Sequence, residues 1–269
     1  MPNRIIQKFT DLRAQKKKAF IAFLTAGDPD LKTTEELVLA FENAGVDIVE
    51  LGVPFSDPLA DGPTIQASSQ RALKHRVTMM KILETVHSIR RKSEIPIALM
   101  TYYNPVFHFT EKRFVVEAKQ KGVDGVIIPD LPPEEATGLI QFAKQNDLAT
   151  IFFLSPTTTP NRMKEIVAAS TGFIYYVSLT GVTGARGQLP KGIFQNVKVA
   201  KAQTDKPICV GFGVSSRAHV RNILAVADGV IVGSAIIDQI VKNTDRKNLE
   251  EKITKFVRRL SNVSKDRFI

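Results

Sequence analysis

Short apolar runs recur along this chain at intervals of about 25 to 30 residues, with amphipathic stretches between them, and this rhythm restricts the fold more than any other feature of the sequence. The runs are AFIAFLT (19–25), VDIVELG (46–52), PIALMTY (96–102), VDGVIIP (123–129), LATIFFL (148–154), FIYYVSL (173–179), PICVGFG (207–213) and DGVIVGS (228–234). Being apolar on both faces, they suit parallel strands covered by helices. The intervening stretches carry helical spacing. TTEELVLAFENAG (33–45) aligns Leu37, Phe41 and Ala44 and stops at Gly45, and EKRFVVEAKQKG (111–122) and PEEATGLIQFAKQ (133–145) read alike. Three runs also open alike, with Val46-Asp47, Val123-Asp124 and Ala227-Asp228, as a repeated unit would. Eight such units predict an α/β fold, a single (β/α)8 TIM barrel spanning 1–269 with an extra N-terminal helix. A dinucleotide-binding sheet would want G-x-G-x-x-G after its first strand, and Thr25-Ala26-Gly27-Asp28-Pro29 does not supply it.

Composition narrows the function classes. The net charge of +10 sits at the two ends: residues 1–18 hold six basic residues against one acid, and 246–269 hold eight against three. The balanced middle argues against a nucleic-acid groove, which needs clustered positive charge on a working face. The tail instead reads as an amphipathic helix, with Leu249, Ile253, Phe256, Val257 and Leu260 on one stripe. One cysteine, Cys209, excludes an internal disulfide and suits a reducing compartment. The N-terminus lacks the apolar core of a secretory signal, and no run reaches the ~18 residues of a membrane span. A cytoplasmic protein is expected, binding neither nucleic acid nor membrane.

In a barrel of this kind the chemistry sits at the C-terminal ends of the strands. The second run ends VELGVPFSDPLADG (49–62). Glu50 is the anomaly there, a carboxylate inside an apolar strand, on the face of Ile48 and opposite Val49 and Leu51. An ionised carboxylate in that place must be paired, or else its pKa rises until it can trade protons near neutrality. Asp61 follows in a Pro- and Gly-rich loop and could aim a second carboxylate at the same cavity, although an Asp in such a loop also suits a turn or cap. Three glycine-rich loops close the chain's later runs: Ser178-Leu179-Thr180-Gly181-Val182-Thr183-Gly184, Val210-Gly211-Phe212-Gly213 and Val232-Gly233-Ser234. Backbone N–H groups and a helix N-terminus at such loops bind phosphate, so a phosphoester ligand is expected. The histidines, His75, His87, His108 and His219, are scattered and read as solvated positions, so no metal site is expected.

The stretch Val49–Gly62 resembles the signature of the tryptophan synthase alpha subunit family. Matching segments run along nearly the whole chain: FLTAGDPD (23–30), GPTIQASSQRAL (62–73), LMTYYNPV (99–106), GVIIPDLPPEE (125–135), SLTGVTGARG (178–187), VGFGVSS (210–216) and VGSAII (232–237). Ala22 departs from a Pro common in the family. The resemblance implies a lyase that cleaves indole-3-glycerol phosphate to indole and glyceraldehyde 3-phosphate. It implies Glu50 as the acid–base carboxylate and Asp61 as the group that engages the indole N–H. It further implies that Phe23, Leu99, Tyr102, Ile127, Tyr175 and Thr183 line the indole pocket or catalytic loop, and that Gly184, Phe212, Gly213, Gly233 and Ser234 hold the phosphate. The loop Pro54-Phe55-Ser56-Asp57-Pro58 matches the part that meets a beta subunit in an alpha2beta2 complex. Pyridoxal phosphate is then expected only in that beta subunit, with no cofactor in this chain. Other phosphate-handling barrels fit less well, because metal-dependent epimerases want His and Asp at strand ends and indole-glycerol-phosphate-forming enzymes want Lys there. A silent structural barrel would have no use for both Glu50 and Asp61.

Overall fold

The computed structural model describes residues 2–177, 192–211, 213–244 and 247–266. Its strand segments are β1 (Ala19–Thr25), β2 (Ile48–Gly52), β3 (Ile97–Met100), β4 (Gly125–Ile127), β5 (Ala149–Ile151), β6 (Phe153–Leu154), β7 (Ile174–Val177), β8 (Ile208–Gly211) and β9 (Gly229–Val232). They form one sheet in the order β5-β4-β3-β2-β1-β9-β8-β7-β6, and every pair is parallel. The two ends of that order are separated in sequence by Phe152 alone. β5 and β6 are therefore halves of one interrupted strand, the run 148–154. β5 hydrogen-bonds to β4 and β6 to β7, so eight staves close into a (β/α)8 barrel.

The helices are α1 (Arg4–Ala14), α2 (Leu31–Asn43), α3 (Pro63–Lys74), α4 (Met79–Arg90), α5 (Tyr103–Phe109), α6 (Glu111–Lys121), α7 (Thr137–Gln145), α8 (Pro160–Ala169), α9 (Ile193–Lys201), α10 (Arg217–Leu224), α11 (Ser234–Asn243) and α12 (Leu249–Ser261). α2 starts where the Asp30 carboxylate accepts the Thr33 N–H at 2.7 Å, and it ends before Gly45, whose φ of +84° only glycine adopts at little cost. α7 begins at Thr137, four residues later than the pattern from 133 suggests. The Pro132-Pro133 pair has no N–H to feed a helix, and Glu135 and Ala136 turn back onto the Pro132 carbonyl instead.

Strand alternation sorts the buried side chains into two layers. Ala19, Ile21, Ile48, Ala98, Ile127, Ala149, Ile151, Tyr175, Cys209 and Ile231 fill the barrel interior, while Phe20, Ala22, Val49, Leu51, Ile97 and Leu99 pack outward against the helices. The extra helix α1 puts Ile5, Phe9 and Leu12 into the interior layer and so plugs the N-terminal end of the barrel. Asn3 pins it there, capping Ile5 N–H and donating to the carbonyls of Asp124 and Asp147.

The repeated Val/Ala-Asp openings have a structural explanation at the same end. Each Asp exchanges two hydrogen bonds with a residue at the start of a neighbouring strand, the first or second. Its N–H donates to the carbonyl of Phe20, Ile97 or Ile208, and the N–H of that residue donates back to the carboxylate of Asp47, Asp124 or Asp228. Cations complete each clamp: Lys265 on Asp47, Arg4 and Arg90 on Asp124, and Lys18 and Lys201 on Asp228. Part of the terminal positive charge thus neutralises the barrel's floor. The chemistry lies at the other end.

Candidate active site

Glu50 lies on β2 next to the interior layer and is 1% exposed. Neither carboxylate oxygen has a hydrogen-bond partner among the described residues. Burial without a cation pushes its pKa up to about 8, and the nearby Asp61 charge pushes the same way. Among the described residues no base pairs with Glu50. Asp61 sits in the loop before α3, buried beside Glu50, and burial raises its pKa to about 6. The Tyr102 hydroxyl opposes that rise by donating to Asp61 Oδ2 at 3.1 Å. The two carboxyls share one site but sit about two pH units apart, as a division into acid and anion requires.

Both carboxylates line a cleft at the C-terminal end of the barrel, with apolar walls and a few convergent polar groups as small-molecule sites have. Phe23, Ile65, Met100, Tyr175 and Ile231 form its apolar wall, and Gly213, Val214, Gly233, Ser234 and Ala235 complete the lining where β8 and β9 end. At that end β9 runs through Gly233, the cap of α11, directly into the helix, so the first-turn N–H groups face a prospective anion. Gly213 has φ +71°, a backbone few other residues adopt. Gly52 and Gly211 leave room for the aromatic wall: a Cβ would lie 2.7 Å from the Phe23 ring or 2.6 Å from the Tyr175 hydroxyl.

The site residues expected from sequence divide as follows. Glu50, Asp61, Phe23, Tyr175, Gly213, Gly233 and Ser234 come together on this cleft. Leu99 does not. It packs outward against the helices, and its neighbour Met100 takes the place on the wall. The correction follows from register: Glu50 faces Ala98, so Ala98 and Met100 share its side of the sheet and Leu99 takes the other. Ile127 points into the barrel interior but below the cleft lining. Tyr102 lies behind Asp61, in a smaller adjoining cavity with Thr25, Ser69 and Met100. Thr183, Gly184 and Phe212 lie outside the described residues. Of the loop proposed to meet a partner, Pro54 is buried, Phe55 and Pro58 are half-buried, and Asp57 is exposed. Ile65, Val214, Ile231 and Ala235 join the lining without any sequence signal beyond ordinary core character. Expected at a solvated position, His219 is instead buried in α10, five residues beyond the cleft residue Val214.

Comparison with known proteins agrees with this architecture. Residues 9–265 match the family model described as tryptophan synthase alpha chain. The chain is 50% identical over 254 residues to the tryptophan synthase alpha chain of Geotalea daltonii, covering 94% of this chain and 96% of that one. To the alpha chain of Caldanaerobacter subterraneus it is 45% identical over 261 residues, 97% and 99% of the two chains. Among solved structures, the alpha chain from Legionella pneumophila superposes with a TM-score of 0.91 at 34% identity, covering 98% of each chain. A tryptophan synthase structure from Mycobacterium tuberculosis superposes with a TM-score of 0.90 at 34% identity over 98% of this chain and 99% of that one. Barrel, carboxylate pair, glycine-lined cleft and full-length similarity converge, and the chain belongs to the tryptophan synthase alpha chain family, a family of lyases.

Proposed function

We propose that this chain cleaves indole-3-glycerol phosphate to indole and glyceraldehyde 3-phosphate by acid–base retro-aldol chemistry. The observation that carries the reading is the buried carboxyl of Glu50, without a hydrogen-bond partner among the described residues, on a cleft also lined by glycine backbone and a helix N-terminus. Gly213, Gly233 and Ser234 would hold the phosphate, with Gly184 and Phe212 joining them by family resemblance. The indole ring would lie against Phe23, Met100 and Tyr175, near Asp61. Ile127, Tyr102 and Thr183 would support that end, the last from the loop after β7.

The division of labour follows from the two environments. A proton is delivered to carbon 3 of the indole. The bond from that carbon to the glycerol chain then breaks, and its electron pair returns to the ring. The hydroxyl on the departing carbon loses its proton as it becomes the aldehyde. Glu50, with a pKa near neutrality, can give and take these protons, because neither form is held by a partner. Asp61, ionised at pH 7, stabilises the positive charge that develops on the ring nitrogen. The kcat/KM profile should therefore peak between about pH 6 and 8, falling on the acid side as Asp61 takes a proton and on the alkaline side as Glu50 loses one.

The exposed end of the loop Pro54-Phe55-Ser56-Asp57-Pro58, continued by the 88%-exposed Leu59, would dock on a beta subunit in a cytoplasmic alpha2beta2 complex. Indole would pass to that subunit, which carries the pyridoxal phosphate, and this chain needs no cofactor of its own. The test is release of indole from indole-3-glycerol phosphate by the purified chain, with and without a beta subunit. Asp61→Asn should lower kcat about 10²- to 10³-fold in the same assay. A rise in KM with kcat retained would reduce Asp61 to a residue that merely binds.

A further inference from the structure

Tyr102 is expected from the family resemblance to line the indole pocket, yet its hydroxyl is occupied elsewhere. It accepts the Ala60 N–H at 2.9 Å and donates to Asp61 Oδ2 at 3.1 Å, while its ring stacks on Phe55 with centroids 5.2 Å apart and planes 27° from parallel. One side chain thus touches the loop at its start, at its penultimate residue and at its carboxylate. Resting on the reading above, we propose that Tyr102 is a positioning residue that latches the Phe55–Asp61 loop and presents the Asp61 carboxylate to the cleft in one orientation. The reciprocal arrangement matters. A hydroxyl that accepts from the Ala60 backbone has its proton left for Asp61, so the bond to the carboxylate has a fixed sense. The latch also reaches outward, since Phe55 belongs to the segment proposed to face a beta subunit.

Among the described residues the groups facing Asp61 are few. β2 contributes Glu50, the segment after β3 contributes Tyr102, and β7 contributes the Tyr175 phenol. α3 contributes the uncharged Ile65 and Ser69, and Asp130 acts on Tyr102 from beyond β4. With burial opposing ionisation, the Tyr102 hydroxyl donates the hydrogen bond that favours the Asp61 anion.

Replacing Tyr102 by Phe removes the hydroxyl and keeps the ring. In Tyr102→Phe the acid limb of kcat/KM should move to higher pH, so the loss relative to wild type is about tenfold near pH 6 and shrinks to about twofold near pH 8. Affinity for glycerol 3-phosphate, which probes the phosphate end, should be unchanged and also reports that the variant is folded. In an Asp61→Asn background, Tyr102→Phe should cost less than about twofold in kcat, because the carboxylate it served is gone. A loss uniform across pH, or full additivity in the double variant, would overturn the latch. Failure of the wild-type chain to release indole would instead overturn the functional reading, so the two failures are distinguishable.

Discussion

Glu50→Gln should abolish cleavage and at the same time stabilise the protein at alkaline pH. An amide can neither donate an acidic proton to carbon 3 nor accept one from the glycerol hydroxyl, and losing a positioned acid–base group costs about 10²- to 10⁴-fold in rate. Affinity for glycerol 3-phosphate should persist, because the substitution leaves untouched Gly213, and Gly233 and Ser234 at the N-terminus of α11. The stability effect has a definite sign. Folding raises the Glu50 pKa from the ordinary 4.5 to about 8, so the folded state holds this proton more tightly than the unfolded chain. Wild-type stability is therefore lost as pH rises from 4.5 to 8, at up to about 1.4 kcal/mol per pH unit. Glutamine carries no such penalty. The difference in unfolding free energy between variant and wild type should grow by a few kcal/mol in favour of the variant between pH 5 and 8, then level off. A flat difference in urea titrations across that range would show that Glu50 is ionised in the folded protein at no cost.

Asp124→Ala should be the most damaging single change outside the cleft. The Asp124 carboxylate, with its side chain 1% exposed, holds Arg90 at 2.8 Å and Arg4 at 3.0 Å and accepts the Ile97 N–H. Burial raises the Asp124 pKa and lowers that of Arg90, so mutual attraction only partly offsets what desolvation takes from each. Such a pair adds little net stability while intact. Removing one member strands the other, and a buried guanidinium without its carboxylate costs about 3 to 5 kcal/mol. That is a large share of the 5 to 15 kcal/mol that typically separates folded from unfolded. Arg4 can turn to solvent, being one-third exposed, but Arg90 cannot. The double variant Asp124→Ala/Arg90→Met should recover part of the loss. Chemical denaturation measures both, and turnover per folded molecule should stay near wild type because the clamp lies at the opposite end of the barrel.

Much of the architecture was legible because its signals are local. The run AFIAFLT coincides with β1, and every other run contains its strand, with 148–154 divided into β5 and β6. Glu50 was conspicuous because a carboxylate amid Ile48, Val49 and Leu51 conflicts with its surroundings whatever the fold. The misassignment of Leu99 has a matching cause. A strand buried on both sides offers two apolar parities, and Ala98-Leu99-Met100 does not reveal which faces inward. Only pairing with β2 settles it. The glycines at the ends of β8 and β9 stand out in the sequence, whereas Ile65, Val214 and Ile231 look like any core residue.

The order of strands and helices, the shared face of Ile48 and Glu50 and the glycine ends of β8 and β9 were written in neighbouring residues, because a period of two or 3.6 is a short-range property. Closure decided the rest. The emptiness around the Glu50 carboxyl, the bond from Tyr102 to Asp61 across 41 positions and the Asp124 clamp reaching 120 residues back to Arg4 are meetings of distant segments. Charge state is set by whatever shares a side chain's immediate surroundings, so protonation, orientation and pairing at these residues came into being only when the barrel brought its two ends together.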